Sequence, residues 1–333
     1  MNHNSRRDWL QATTAAAISA VAPGVFAGWQ EQRKAQIAIT LDLEMSAQYP
    51  TRDQTEWNFE KGNLDLATKQ YSVEAGHLVK KLGGVIHYFC VGRVLEQPDV
   101  EWLKQLSAEG HAIGNHTYDH VHVKATKPED LQFRFRRAPW LIEGKTPREV
   151  IEQNIRLTTT ALRERAGIAA NGFRTPGGFS NGLEDRPDLQ KLLLDLGFTW
   201  VSGKYPSHLY GKVGETPTEQ VLDSILKAQA DAQPFAYPSG LIEIPMSPIS
   251  DVGAFRSTRW SLDAFLMAIR RAVEWAIEHH AVFDFLAHPS CLVVEDPEFR
   301  TIRMICELVR AAGDRAEIVT LDRIADGIKN DPR

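Results

Sequence analysis

"HAIGNHTYDH", residues 111–120, runs a short apolar segment straight into two histidines four positions apart, His116 and His120. The segment reads as a strand that passes into a loop or helical turn. On a helical turn, histidines at that spacing project from one side, where neutral imidazole nitrogens can share one divalent ion such as zinc. The spacing alone is a weak signal, because a polar strand end serves ordinary surface equally well. What decides between the two is whether other strands deliver polar groups in the same manner.

Moving outward, short runs rich in Val and Ile alternate with segments of helical period. Strands are predicted at 36–42, 83–90, 111–115, 171–175, 198–202, 241–245, 282–288 and 317–321. Helices are predicted over "SVEAGHLVKKL", "DVEWLKQLSAEG", "REVIEQNIRLTTTALRERAG", "RPDLQKLLLDLG", "SLDAFLMAIRRAVEWAIEHH" and "PEFRTIRMICELVRAAG", with one more near 217–231. Several stop at glycine, as helix ends do. Repeated strand–helix units over this length predict a single α/β domain built as a barrel of parallel strands. Two long connections, 121–148 and 203–240, are either walls of a binding cleft or packing around the barrel.

Polar residues fall at the carboxyl ends of these strands, the face on which such barrels carry their sites. Asp42 and Glu44 end or just follow the first strand, Arg174 ends the fourth and His288 ends the seventh. Asp42 and Glu44 are separated by one residue and point the same way if the strand persists, so one can bind an ion while the other acts as a base. Arg174 can clamp a carboxylate with two hydrogen bonds. Pro176, Gly177 and Gly178 form a turn whose backbone N–H groups can approach an oxyanion. His288 is the candidate general acid if an ion lies opposite it. Taken singly, each of these residues is as readily a strand end, a surface turn or a core histidine.

The chain has 333 residues, 43% of them hydrophobic, with a net charge of −5, which permits a full core and argues against nucleic-acid binding. Arg6 and Arg7 precede Trp9, Leu10 and the alanine-rich run 12–22, and small residues stand at Val25 and Ala27. That order resembles a twin-arginine export signal, residues 1–27, leaving one domain over 28–333 in the periplasm or cell envelope. The run is too short for a membrane span. With Cys90, Cys291 and Cys306 at most one disulfide can form, and Cys90 and Cys306 lie in apolar runs as core residues.

Taken together and in order, "TLDLE", "HTYDH", "RTPGG" and "FLAH" resemble the polysaccharide deacetylases of the NodB homology type, carbohydrate esterase family four. The resemblance covers roughly residues 36–325. It implies a distorted (β/α) barrel and a metal-dependent hydrolase that removes N-acetyl groups from an N-acetylated glycan, such as peptidoglycan, exopolysaccharide or a chitin-like polymer. Carried over by position, Asp42 is the base, His116 and His120 the metal ligands, Arg174 the orienter of the base, His288 the acid and Gly177 N–H an oxyanion donor.

The chain departs from the commonest pattern at three points. Leu43 stands where a second aspartate is usual, and Glu44 then matches the carboxylate ligand of an acid-x-acid subgroup with peptidoglycan-deacetylase-like and allantoinase-like members. Gly177 replaces an aromatic residue of the sugar groove. The aspartate-and-tryptophan motif that tunes the acid has no clear match, with Trp200 a candidate for its aromatic part. These departures keep open a hydrolase of a small non-sugar amide, or a carbohydrate-binding barrel without catalysis.

Overall fold

Strand β1, Ala35–Leu43, owes its form to strict alternation. Ile37, Ile39, Leu41 and Leu43 point outward into the main apolar cluster, while Ala38, Thr40 and Asp42 share the opposite face. The computed structural model describes residues 34–52 and 61–330, so the expected export signal over 1–27 lies outside the described residues. The other strands are β2 His87–Cys90, β3 Ala112–Asn115, β4 Phe173–Phe179, β5 Trp200–Lys204, β6 Phe235–Ala236, β7 Ile242–Glu243, β8 Val282–Ala287 and β9 Ala316–Ile318.

They form one nine-stranded sheet in the order β6-β7-β5-β4-β3-β2-β1-β8, with β9 added beside the start of β1. Every pairing is parallel except β6 with β7. The two ends of the sheet are drawn together by the segment after β7, where Ser247 N donates to Asp284 O of β8 at 3.1 Å. Lower down, the Gln233 side chain accepts from Val282 N (2.8 Å) and donates to Val282 O (3.1 Å), supplying the ladder bonds a missing strand would make. The sheet is therefore a curled, incompletely closed (β/α) barrel.

The helices that pack outside it are α1 Leu66–Lys81, α2 Glu101–Ala108, α3 Pro147–Ala161, α4 Pro187–Asp195, α5 Glu219–Asp231, α6 Leu262–Glu278, α7 Pro289–Glu295 and α8 Arg300–Ala312. Their starts follow capping chemistry: Thr146 and Glu149 form a reciprocal capping box on α3, and Thr218 and Ser261 cap α5 and α6. The last helix, α9 Leu321–Asn330, plugs the floor of the barrel. Leu321, Ile324 and Ala325 pack there with Ala38, Phe89, Trp200, Ile242 and Val282. Gly172 sits beside this floor at φ +67°, and any Cβ on it would overlap the Trp200 indole.

Several expectations change in detail. The segment 317–321 is strand only as far as Ile318, because α9 begins at Leu321, and α7 and the two-residue β6 had no sequence reading. All three cysteines are buried free thiols. The stretch 121–148 folds into short helical turns whose Leu131, Phe135 and Ile142 pack with Ile151 and Ile155 of α3 and Leu189 of α4. Among the described residues, no helix is long and apolar enough to cross a membrane.

Candidate active site

The alternation of β1 fixes where its acids point. Asp42 continues the inward face and Leu43 the outward one, so Leu43 is packed in the core and cannot reach an ion. Past the strand, Glu44 N bonds back to Asp42 O (3.0 Å), and Ser290 Oγ of α7 donates to Glu44 O (2.9 Å). The Glu44 carboxylate is thereby returned to the barrel mouth, where it is buried.

Of the two alternatives, loop or helical turn, His116 and His120 leave β3 on a loop. Thr117 and His120 both take left-handed backbone, φ +57°. The loop is over-determined: Asn115 Oδ1 accepts from Thr117 N (2.9 Å), Thr117 Oγ1 from Val121 N (3.0 Å), and Asn154 Oδ1 of α3 from Asp119 N (2.7 Å). That satisfaction of local donors holds two residues in a conformation side chains rarely adopt. His116 Nδ1 lies 3.0 Å from Arg174 O, a carbonyl that can only accept. Its Nδ1 therefore carries the hydrogen, and its Nε2 is left as a lone pair.

The result is a tight donor set. Ligand atoms of Glu44, His116 and His120 all lie within 4.8 Å of one another. Glu44 Oε2 is 2.8 Å from His120 Nε2 and 3.7 Å from His116 Nε2. Among the described residues Oε2 still accepts no aligned hydrogen bond. Burial holds the His120 imidazole down at about 4 and lowers His116 also, so both rings are neutral near pH 7 and able to ligate. Burial opposes ionisation of Glu44, but the adjoining His120 and Lys61 outweigh it and hold the carboxyl well below its ordinary range. A carboxylate oxygen without an aligned donor, faced by two neutral imidazoles, fits a divalent cation.

Beside this set, Arg174 of β4 is fully buried and stacks over the Phe89 ring at 4.3 Å. Its Nη1 donates to Asp42 Oδ1 (3.1 Å) and Thr40 Oγ1 (2.7 Å), and its Nη2 to Asp284 Oδ2. Two carboxylates thus answer one buried guanidinium, as a charge removed from water requires. The other oxygen of Asp42 lies 3.6 Å from His116 Nε2. Burial raises the Asp284 carboxyl to about 6.

His288 closes β8 and leads into α7. Asp251 holds it twice, with Oδ2 accepting from His288 N (2.7 Å) and Oδ1 from Nδ1 (3.0 Å). The free Nε2 then stands 3.6 Å from Glu44 Oε1. Burial disfavours the imidazolium, yet Asp251, with Glu44 and Asp42 behind it, more than offsets this and raises His288 above its ordinary value.

Residues 51–199 match a family model described as polysaccharide deacetylase, a span that takes in His116, His120 and Arg174. Among solved structures, the chain is similar to a Mycobacterium smegmatis protein described as a polysaccharide deacetylase (16% identity, 91% of this chain and 92% of that one, TM-score 0.58). It is similar also to a Pseudomonas aeruginosa protein so described (13%, 91% and 94%, TM-score 0.59) and to the allantoinase PuuE (12%, 89% and 91%, TM-score 0.58). A search of curated proteins gives no match. The fold is the distorted (β/α) barrel of polysaccharide deacetylases.

Within that barrel, the sequence-predicted residues Asp42, Glu44, His116, His120, Arg174 and His288 meet at one mouth. Pro176 is buried, and Gly177, at φ +77°, is exposed in an irregular stretch of β4 between Arg174 and Phe179. Trp200 is elsewhere: it begins β5 at the barrel floor, and its Nε1 donates to Asp322 of α9 (3.0 Å). The partner of His288 is Asp251, which the sequence reading missed, together with Asp284 and the buried Lys61 on Glu44 Oε1. "SPISDVGAF" carries no periodic or spacing signal that singles out Asp251.

Proposed function

We propose that this protein is a metal-dependent amide hydrolase that removes N-acetyl groups from an N-acetylated glycan. The observation that carries the reading is the convergence of one buried carboxylate and two neutral imidazoles on a space flanked by Asp42 and His288. A divalent ion, zinc by ligand type, held by Glu44, His116 and His120 would supply Lewis acidity and a water of lowered pKa.

The protein's own groups divide the proton traffic. Asp42, clamped through Oδ1 by Arg174, keeps Oδ2 toward the donor set and takes the proton of the attacking water. The Gly177 N–H, on the turn begun by Pro176, is a donor to the oxygen that becomes negative at the acetyl carbon. His288, protonated and held by Asp251, gives its Nε2 proton to the departing amine. The C–N bond breaks, leaving acetate and a free amino sugar. The residues match the family model over 51–199, which favours a glycan over other amides. Residues 1–27 fit a twin-arginine leader that delivers the remaining domain to the cell envelope, where such glycans lie.

Acetate release from N-acetylglucosamine oligomers, with and without chelator, tests this beside a ureide panel. Chelator-sensitive acetate release is expected, and D42N should lose turnover while keeping its metal. A small ureide is the second reading, supported by the allantoinase barrel at the same TM-score, and cleavage of ureides alone would establish it.

A further inference from the structure

The mouth of the barrel contains a cation of the chain's own. Lys61 is buried, and its Nζ is bonded to Glu44 Oε1, the same oxygen that faces His288. The opposite oxygen, Oε2, faces His120 and His116. Lys61 is fixed there by its backbone, since its carbonyl accepts from Met45 N (3.0 Å) just past β1. Glu44 therefore divides between an ammonium on one side and the imidazole pair on the other.

A carboxylate buried without a counter-charge is costly, and a donor set that must accept a cation is in that position before the ion arrives. An ammonium on Glu44 removes the difficulty. It also sets a second positive charge within a few ångströms of any ion bound at Oε2, and it withdraws electron density from the ligand. Both effects oppose metal uptake.

We infer that Lys61 is a resident counter-cation of this centre, which stabilises Glu44 in the metal-free protein and weakens the binding of a divalent ion. The inference rests on Glu44, His116 and His120 being the ligands. It makes the centre an exchangeable one, loaded according to the supply of metal, in place of a site that retains its ion through every condition.

The test compares full-length wild type, K61Q, K61M and K61R, each stripped of metal and titrated with zinc against a chromophoric chelator. Removing the charge should tighten zinc binding by at least about tenfold in K61Q and K61M, given a unit charge at this range and partial burial. K61R, which keeps the charge, should stay near wild type. Stripped K61M should melt below stripped wild type and gain more from zinc. If K61M does not fold, K61Q decides, because its amide still offers Glu44 an N–H. Equal or weaker zinc binding by K61Q overturns the role of Lys61 alone. Absence of zinc binding in all four proteins overturns the metal reading itself.

Discussion

Asp251 governs the protonation of His288, because each of its oxygens accepts from that residue, Oδ1 being shared with Val252 N (2.7 Å). A histidine whose folded pKa is raised binds protons more tightly when folded, so its stabilising contribution is full below the unfolded pKa and vanishes as pH rises through the folded one. In the proposed mechanism, the same shift keeps a proton on His288 for the departing amine. D251N removes the charge and keeps an oxygen, so the alkaline limb of the kcat–pH profile should move to lower pH and kcat at pH 8 should fall on the order of tenfold or more. An unmoved limb would show that His288 is not the proton donor. His288 was legible because it ends an apolar strand, whereas Asp251 acts from 37 residues away in sequence without a pattern of its own. Lys61 was hidden for a like reason: nothing in the letters says that a lysine is buried.

At the scale of elements, spacing brought His116 and His120 together for the wrong reason. Four residues of helix would align them, but here a loop does so, with two left-handed residues held by Asn115, Thr117 and Asn154. Polar side chains that bond their neighbours' backbone compete with helix, and the letters "NHTYDH" contain that competition. The geometry depends on α3, because Asn154 holds the loop through Asp119 N. N154A should weaken zinc binding by about 10- to 100-fold, as loss of an outer partner of a metal site does, with little change in secondary structure. Zinc affinity and far-ultraviolet circular dichroism separate the two effects. At the barrel floor, G172A adds a Cβ where the backbone is left-handed and the Trp200 indole is already in place. Strain and overpacking together should cost roughly 2–4 kcal/mol in urea unfolding, with zinc affinity unaltered.

For the whole molecule, strand–helix alternation carried the barrel, since buried parallel strands are recognisable as apolar runs between helices of clear period. The incomplete closure was not legible, because β6 and β7 are two residues each and the edge is finished by the Gln233 side chain. Below the site, the barrel depends on neutral histidines. His87 Nε2 lies 2.9 Å from Asn171 O and its Nδ1 accepts from Leu321 N (3.3 Å), which ties α9 to the floor in a single tautomer. His111 Nδ1 likewise accepts from Ile86 N (3.0 Å). Burial lowers both imidazoles to about 4, so the unfolded chain binds more protons than the folded one between that pH and the ordinary histidine value near 6.5. Stability must then fall as pH drops through this window, by on the order of 3 kcal/mol per imidazole. Asp284, raised to about 6, works in the opposite sense, because the folded state takes up its proton first, and it offsets part of the loss. With His120, also held at about 4, these imidazoles outweigh one carboxyl, so metal-stripped protein should lose several kcal/mol between pH 6.5 and 4.5 in urea titrations. H87Q should be less stable at pH 7 yet show a shallower decline, since one titrating group has gone. A wild-type stability that holds level across the window, or an unaltered slope in H87Q, would mean that the floor of the barrel is not held by these neutral rings.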